Sequence, residues 1–182
     1  MINASRVVNI DASPEEVFTL ISDVHQCGEL NPWIKVINIT PEPPGAMRKG
    51  TKYHYRVVVK GKMTEYTSEV VVFEPGRLIE TQTYTNPPLN ITYRIDPAGE
   101  GTILEQEITT ALPQQEPQAV EVPGWFSKLV GKFGIDKEAP DHVDDTLQQE
   151  EEQIRQQFQE QLNEWLDIVK NHIESQRGKF QA

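Results

Sequence analysis

Four histidines, one cysteine, and several glutamates and tyrosines in strand-like segments carry the reactive chemistry of this sequence. His25, His54, His142 and His172 fall on different predicted elements. No two have the H-x-x-x-H spacing that sets two imidazoles on one helix face. His25-Gln26-Cys27 brings two soft ligands together, but a structural zinc site takes four. We therefore expect no metal and no other cofactor. Cys27 with His25 as its base fails on geometry, because residues two apart on a helix point in different directions. The sequence holds no Gly-x-Ser-x-Gly elbow, no phosphate-binding P-loop and no dinucleotide fingerprint.

Proton transfer inside a cavity needs a carboxylate or phenol aimed inward with a shifted pKa. Glu65, Glu69, Glu80, Glu105 and Glu107 lie within strand patterns, and we expect them to face solvent. Tyr53, Tyr55, Tyr66 and Tyr93 instead cluster on the predicted inner faces. Each offers an apolar ring and a hydroxyl. Such a lining can hold an aromatic or acyl ligand and orient it by a few hydrogen bonds. It can equally be plain core packing, since tyrosine is an ordinary strand residue. The residues alone leave both readings open.

The element that must position these groups is a long helix predicted over about Asp141–Gln176. Val143, Leu147, Ile154, Phe158, Leu162, Trp165, Leu166, Val169 and Ile173 form one apolar stripe at helical spacing, and the other faces are mostly Gln, Glu and Asp. One oily side must lie against something, and the rest of the chain reads mainly as strands. Residues 4–11 form the first. Ser13, Pro14 and Glu16 then give a capping box and a proline at the first helical position, starting a short helix. A second short helix covers Asp23 to Leu30, and Asn31-Pro32-Trp33 ends it. Lys35–Thr40, Thr51–Lys60, Met63–Phe73, Leu78–Thr85, Leu89–Asp96 and Thr102–Leu112 read as strands. Most are joined by short Gly- or Pro-bearing turns, which imply antiparallel neighbours. Alternation assigns Tyr53, Tyr55, Val57 and Val59 to one inner face. It assigns Tyr66, Ser68, Val70 and Val72 to a second, and Leu89, Ile91, Tyr93 and Ile95 to a third. Leu78–Thr85 mixes polar and apolar residues on both faces.

Residues 113–140 interrupt this pattern. Trp125, Phe126, Leu129 and Phe133, with Val130, share one face of a short amphipathic helix. It can pack on its own domain as a lid, touch a membrane surface through its aromatic residues and Lys128 and Lys132, or meet another chain. Packing on its own domain is the commonest meaning of the pattern.

The chain has 182 residues and a net charge of −11, with 37% hydrophobic and 25% charged residues. This composition fits a globular domain, which we take to span 1–182 with 113–140 as an insert. The negative balance argues against nucleic acid as a partner, since that needs a basic face. No apolar run approaches the roughly 20 residues of a membrane span, so no stable membrane insertion is expected. One cysteine allows no intrachain disulfide, and no signal pattern opens the chain; we expect a cytoplasmic protein.

In order and spacing the elements resemble the START-like helix-grip superfamily (SRPBCC), and within it the polyketide cyclase/dehydrase group. The residues that carry the resemblance are Val8-Asn9-Ile10-Asp11-Ala12-Ser13-Pro14-Glu15-Glu16-Val17-Phe18, Asp23 and Pro32-Trp33. Phe73-Glu74-Pro75-Gly76-Arg77-Leu78 and Gly101-Thr102 extend it. The resemblance implies an α+β fold: a seven-stranded antiparallel sheet wrapped around the C-terminal helix, with two short helices after the first strand. It also implies a cavity between sheet and helix for hydrophobic or amphipathic molecules, such as lipids, polyketides or quinones. Trp33, Tyr53, Tyr55, Tyr66, Tyr93, Phe158, Leu162 and Trp165 are the expected lining, and Trp125, Phe126, Leu129 and Phe133 the expected lid. Binding or transport of such a molecule is the leading expectation, with no recognisable catalytic set. A cyclase/dehydrase-type enzyme is the alternative, and a protein-interaction module such as a chaperone cofactor a third. Neither the ligand nor the oligomeric state follows from the residues.

Overall fold

A computed structural model of the chain describes residues 1–111 and 143–180. β1 (Ile2–Ile10) buries Ile2, Ala4, Val8 and Ile10 on one face. The chain then turns into α1 (Pro14–Ser22) through the expected capping box. The Glu16 N–H donates to Ser13 Oγ at 3.3 Å, and the Ser13 N–H donates to the Glu16 carboxylate at 2.7 Å. Asp23 ends α1 and caps α2 (Val24–Leu30), accepting from the backbone N–H groups of His25 and Gln26 at 3.0 and 3.1 Å. Val17, Leu20 and Ile21 form the buried side of α1.

Six strands follow: β2 (Lys35–Glu42), β3 (Lys52–Val59), β4 (Lys62–Glu74), β5 (Leu78–Thr83), β6 (Leu89–Ala98) and β7 (Gly101–Thr110). With β1 they form one seven-stranded antiparallel sheet in the order β1-β7-β6-β5-β4-β3-β2. Lys60 and Gly61 both take positive φ, 48° and 80°, the twist that a two-residue hairpin between β3 and β4 requires. β2 runs through Pro41, past its expected end at Thr40. It lies at the sheet edge, where a missing N–H costs no ladder bond.

The register corrects one assignment. Val70 lies opposite Thr81, but Val72 lies opposite Glu80 and Phe73 opposite Ile79. This bulge shifts the alternation by one residue. Phe73 therefore takes the inner face beside buried Ile79 and packs on the core, and Val72 is turned outward.

The long helix, α3 (Val143–Phe180), lies along β1 and reaches beyond its expected end at Gln176. Ile154, Phe158, Leu162, Trp165, Leu166, Val169 and Ile173 are all buried, as their spacing implies. The side chains of Val143 and Leu147 lie outside the described residues, as does the short helix expected over 125–133. α3 also covers the free edge of β1. Gln159 donates to the Ser5 carbonyl at 3.0 Å, Lys170 to the Asn9 carbonyl at 2.8 Å, and Arg177 to the Asp11 carbonyl at 2.6 Å. Arg6 reaches across to the Asn163 carbonyl and to Asp167. These bonds satisfy edge groups that would otherwise invite another strand. They also fix the height at which the stripe of α3 meets the sheet.

Candidate functional site

The stripe meets the sheet differently along its length. Toward its N-terminal half, Ile154, Phe158 and Leu162 close against Ile2, Ala4, Leu89 and Ile108. Toward its C-terminal half, Trp165, Leu166, Val169 and Ile173 join Val8, Ile10 and the buried side of α1. Beside these contacts, bounded by β3 to β7, α2 and α3, lies a cavity of about 180 Å³.

Trp33, Tyr53, Tyr55, Tyr66, Tyr93, Leu162 and Trp165 all line this space. Phe158 does not. It is fully buried in the closed cluster with Ile2, Ala4 and Leu89, and is core rather than lining. The helical stripe marks which residues face the sheet, but it does not mark where the sheet stands off. Trp125, Phe126, Leu129 and Phe133, expected as a lid, lie outside the described residues.

The aromatic wall has a definite geometry. Tyr55 and Tyr66, directly opposite each other on β3 and β4, stack with centroids 4.6 Å apart and planes 5° from parallel. Tyr53 tilts against Tyr55 at 6.4 Å. Across the cavity the Tyr93 hydroxyl faces the Trp165 indole, whose N–H can only donate toward it. Burial raises the Tyr55 phenol well above its ordinary value, and Tyr66 adds to the effect. Burial likewise raises Tyr93 and Tyr53. These phenols are neutral near pH 7 and act as hydrogen-bonding groups, not as bases.

Cys27 also lines the cavity. Burial, with Asp23 adding to it, pushes its thiol up to about 12, and its Sγ lies 3.3 Å from the Leu20 carbonyl that accepts from it. It is a packed thiol rather than a nucleophile.

The strand carboxylates stand on the other side of the sheet. Arg56 binds Glu65 at 2.6 Å, and Arg94 reaches Glu105 and Glu107 at 3.3 and 3.4 Å. Glu69 accepts the Tyr84 hydroxyl. Glu80 lies opposite Thr92, which alternates with the inward Ile91 and Tyr93. None of the described lining residues is Asp, Glu, Lys, Arg or His. His54 sits on the same outer face, between Glu42 at 2.8 Å and Thr67 at 3.0 Å. Among the described residues no group of three or more His, Cys, Asp or Glu is placed to hold a metal ion.

Sequence reasoning placed Ser68 on an inner face but missed the rest of the polar lining. Thr81 and Thr83 of β5 face the cavity with Ser68, and Gln161 joins them from α3. Gln106 of β7 is 3% exposed, lines the cavity, and its Oε1 has no hydrogen-bond partner among the described residues. Its neighbours Glu105 and Glu107 disguise it as part of an exposed polar run. The phase of Leu104 and Ile108, both buried, is the signal that turns Gln106 inward.

A seven-stranded antiparallel sheet that grips one long C-terminal helix, with two short helices after the first strand, is the helix-grip fold of START-like proteins. The chain belongs to the family described as polyketide cyclase / dehydrase and lipid transport, whose model matches residues 1–139. No curated protein matches the sequence. Solved structures share the fold at low identity. A START superfamily protein from Mycobacterium smegmatis is 15% identical, with TM-score 0.59, covering 96% of this chain and 99% of its own. The di-domain ARO/CYC StfQ from the steffimycin biosynthetic pathway is 13% identical, with TM-score 0.65, covering 97% of this chain and 52% of its own. A protein of unknown function from Staphylococcus aureus is 9% identical, with TM-score 0.67, covering 98% of this chain and 96% of its own. Among the described residues no helix is long and apolar enough to cross a membrane.

Proposed function

We propose that the protein binds a neutral, largely apolar small molecule in the cavity beside α3, as a carrier or receptor rather than by turning it over. One observation carries the reading: the described lining combines aromatic rings with neutral hydrogen-bonding groups and has no charged side chain. A charged guest would lose its water there without meeting an opposite charge, whereas a neutral ring gains contact on all sides. Trp33, Tyr53, Tyr55, Tyr66, Tyr93, Leu162 and Trp165 are the residues we assign to ligand contact. The family description includes lipid transport, which agrees with this reading.

Solvent extraction of the purified protein followed by mass spectrometry tests it, together with calorimetric titration of neutral apolar probes. A co-purifying neutral molecule or saturable uptake is the expected result. An extract free of small molecules, with no uptake of any probe, overturns the proposal. A cyclase-type enzyme is the second reading, favoured by the phenols at the cavity wall and by the likeness to StfQ. Such an enzyme would use Tyr53, Tyr55, Tyr66 or Tyr93 to donate hydrogen bonds to a folded substrate, with proton abstraction left to another group.

A further inference from the structure

The proposed function leaves one feature of the cavity unused. A buried amide oxygen normally has a partner, and one without calls for an explanation. Gln106 sits on the concave face of β7, directly opposite Tyr93 on β6, and both side chains line the cavity. The Gln106 Oε1 lacks a donor among the described residues. The Tyr93 hydroxyl faces the Trp165 indole, whose N–H can only donate, so the phenol keeps its own proton to give. One row of the sheet therefore presents an unsatisfied acceptor beside a hydroxyl with a proton to give, in a space whose other polar groups, Ser68, Thr81, Thr83, Asn31 and Gln161, are neutral.

We propose that Gln106 is the polar anchor of this cavity and that it selects a ring-bearing alcohol or phenol, whose hydroxyl donates to the Gln106 carboxamide and accepts from Tyr93. The inference rests on the reading of the cavity as a binding site and adds the class of ligand. A ketone or ether accepts but leaves Oε1 unpaired. A carboxylate only accepts and brings a charge; an ammonium donates and also brings a charge. Of these groups the hydroxyl is the one that satisfies both partners without a charge. The terminal carboxamide turns about a soft torsion, so its oxygen can swing toward the guest. The volume, about 180 Å³, is close to the roughly 150 Å³ known to accept a benzene ring, so a one-ring guest fits without displacing the walls.

The test compares phenol with toluene, which have equal numbers of heavy atoms, by calorimetric titration of the full chain and of Gln106→Leu. Their different hydrophobicity cancels in the change of the affinity ratio between the two proteins. The phenol-to-toluene ratio is expected to fall about tenfold in Gln106→Leu, with toluene binding retained, because the leucine offers no acceptor. An unchanged ratio with both probes still bound overturns the anchor while leaving the cavity reading intact. If neither probe binds the natural sequence, the cavity reading fails and the anchor with it. A second measurement needs no variant. The side-chain amide resonances of Gln106 should shift on adding phenol and stay in place on adding toluene at equal occupancy. Equal shifts for the two probes overturn the proposal.

Discussion

Leu89 and Ile91 sit two residues apart on the same face of β6, yet phenylalanine should act on them in opposite directions. Leu89 is 1% exposed and locked against Phe158 in the closed cluster, whereas Ile91 borders the cavity. Phenylalanine is a good strand residue, so neither change disturbs the backbone preference. At position 91 the added ring atoms enter a space of about 180 Å³ and gain contacts with atoms already there. Cavity filling of this kind stabilises by about 0.5–2 kcal/mol. At position 89 the same atoms meet a packed core, where overpacking costs about 1–3 kcal/mol. Urea denaturation measures both, provided the slope with denaturant is unchanged. For a chain of this size each kcal/mol moves Tm by about 2–4 °C, so the two variants should separate clearly by melting as well. Ile91→Phe should also weaken uptake of an apolar probe. Loss of stability in Ile91→Phe as large as that in Leu89→Phe would refute the reasoning, because it would mean that the space beside Ile91 is not free.

Three further outcomes follow from particular contacts. Phe158→Ala should cost about 3–5 kcal/mol by urea midpoint, because a fully buried ring leaves a void in the closed end of the stripe. Gly101→Ala should lower the urea midpoint by about 1–3 kcal/mol: its Cβ would stand 2.7 Å from the Ile10 carbonyl oxygen, a backbone atom that cannot turn aside. The Cys27 thiol is raised to about 12 by burial from an ordinary 9.0, so its contribution is whole below pH 9 and is lost as pH rises from there toward 12. Stability measured from pH 8 to 11 should therefore decline less steeply in Cys27→Ala than in the natural sequence, and parallel slopes would count against a buried, protonated thiol.

The parts of this fold legible in the sequence are those governed by local period and local chemistry. The capping box at Ser13 and Glu16, the inner-face set Leu89, Ile91, Tyr93 and Ile95, and the stripe of α3 each follow from spacing within one element. The unreadable parts depend on neighbours. Val70-Val71-Val72-Phe73 is apolar throughout and gives no phase, so the bulge that turns Phe73 inward shows only in the pairing with Ile79 and Glu80. β5 alternates threonine with glutamate and glutamine, and only its register assigns Thr81 and Thr83 to the cavity. Phe158 and Trp165 occupy equivalent places on one helical stripe. Which of them meets core and which meets open space depends on where the sheet stands away from α3.

The same sheet separates charge from cavity, and this separation bears on what the cavity can accept. On the outer face, carboxylates and guanidiniums pair in water: Arg56 with Glu65, Arg94 with Glu105 and Glu107. Such exposed pairs add little stability. Their placement does, however, leave the alternate positions of the same strands free for Tyr55, Tyr66, Tyr93 and Gln106. Burying an ionic ligand among these groups would cost several kcal/mol per charge, with no opposite charge in the described lining to offset it. A neutral hydroxyl incurs no such cost and can donate to the Gln106 Oε1, which has no partner among the described residues. On the proposed function, selectivity for neutral guests would follow from the strand alternation itself, because a residue pair such as Glu105–Gln106 presents its charge to water and its amide to the cavity.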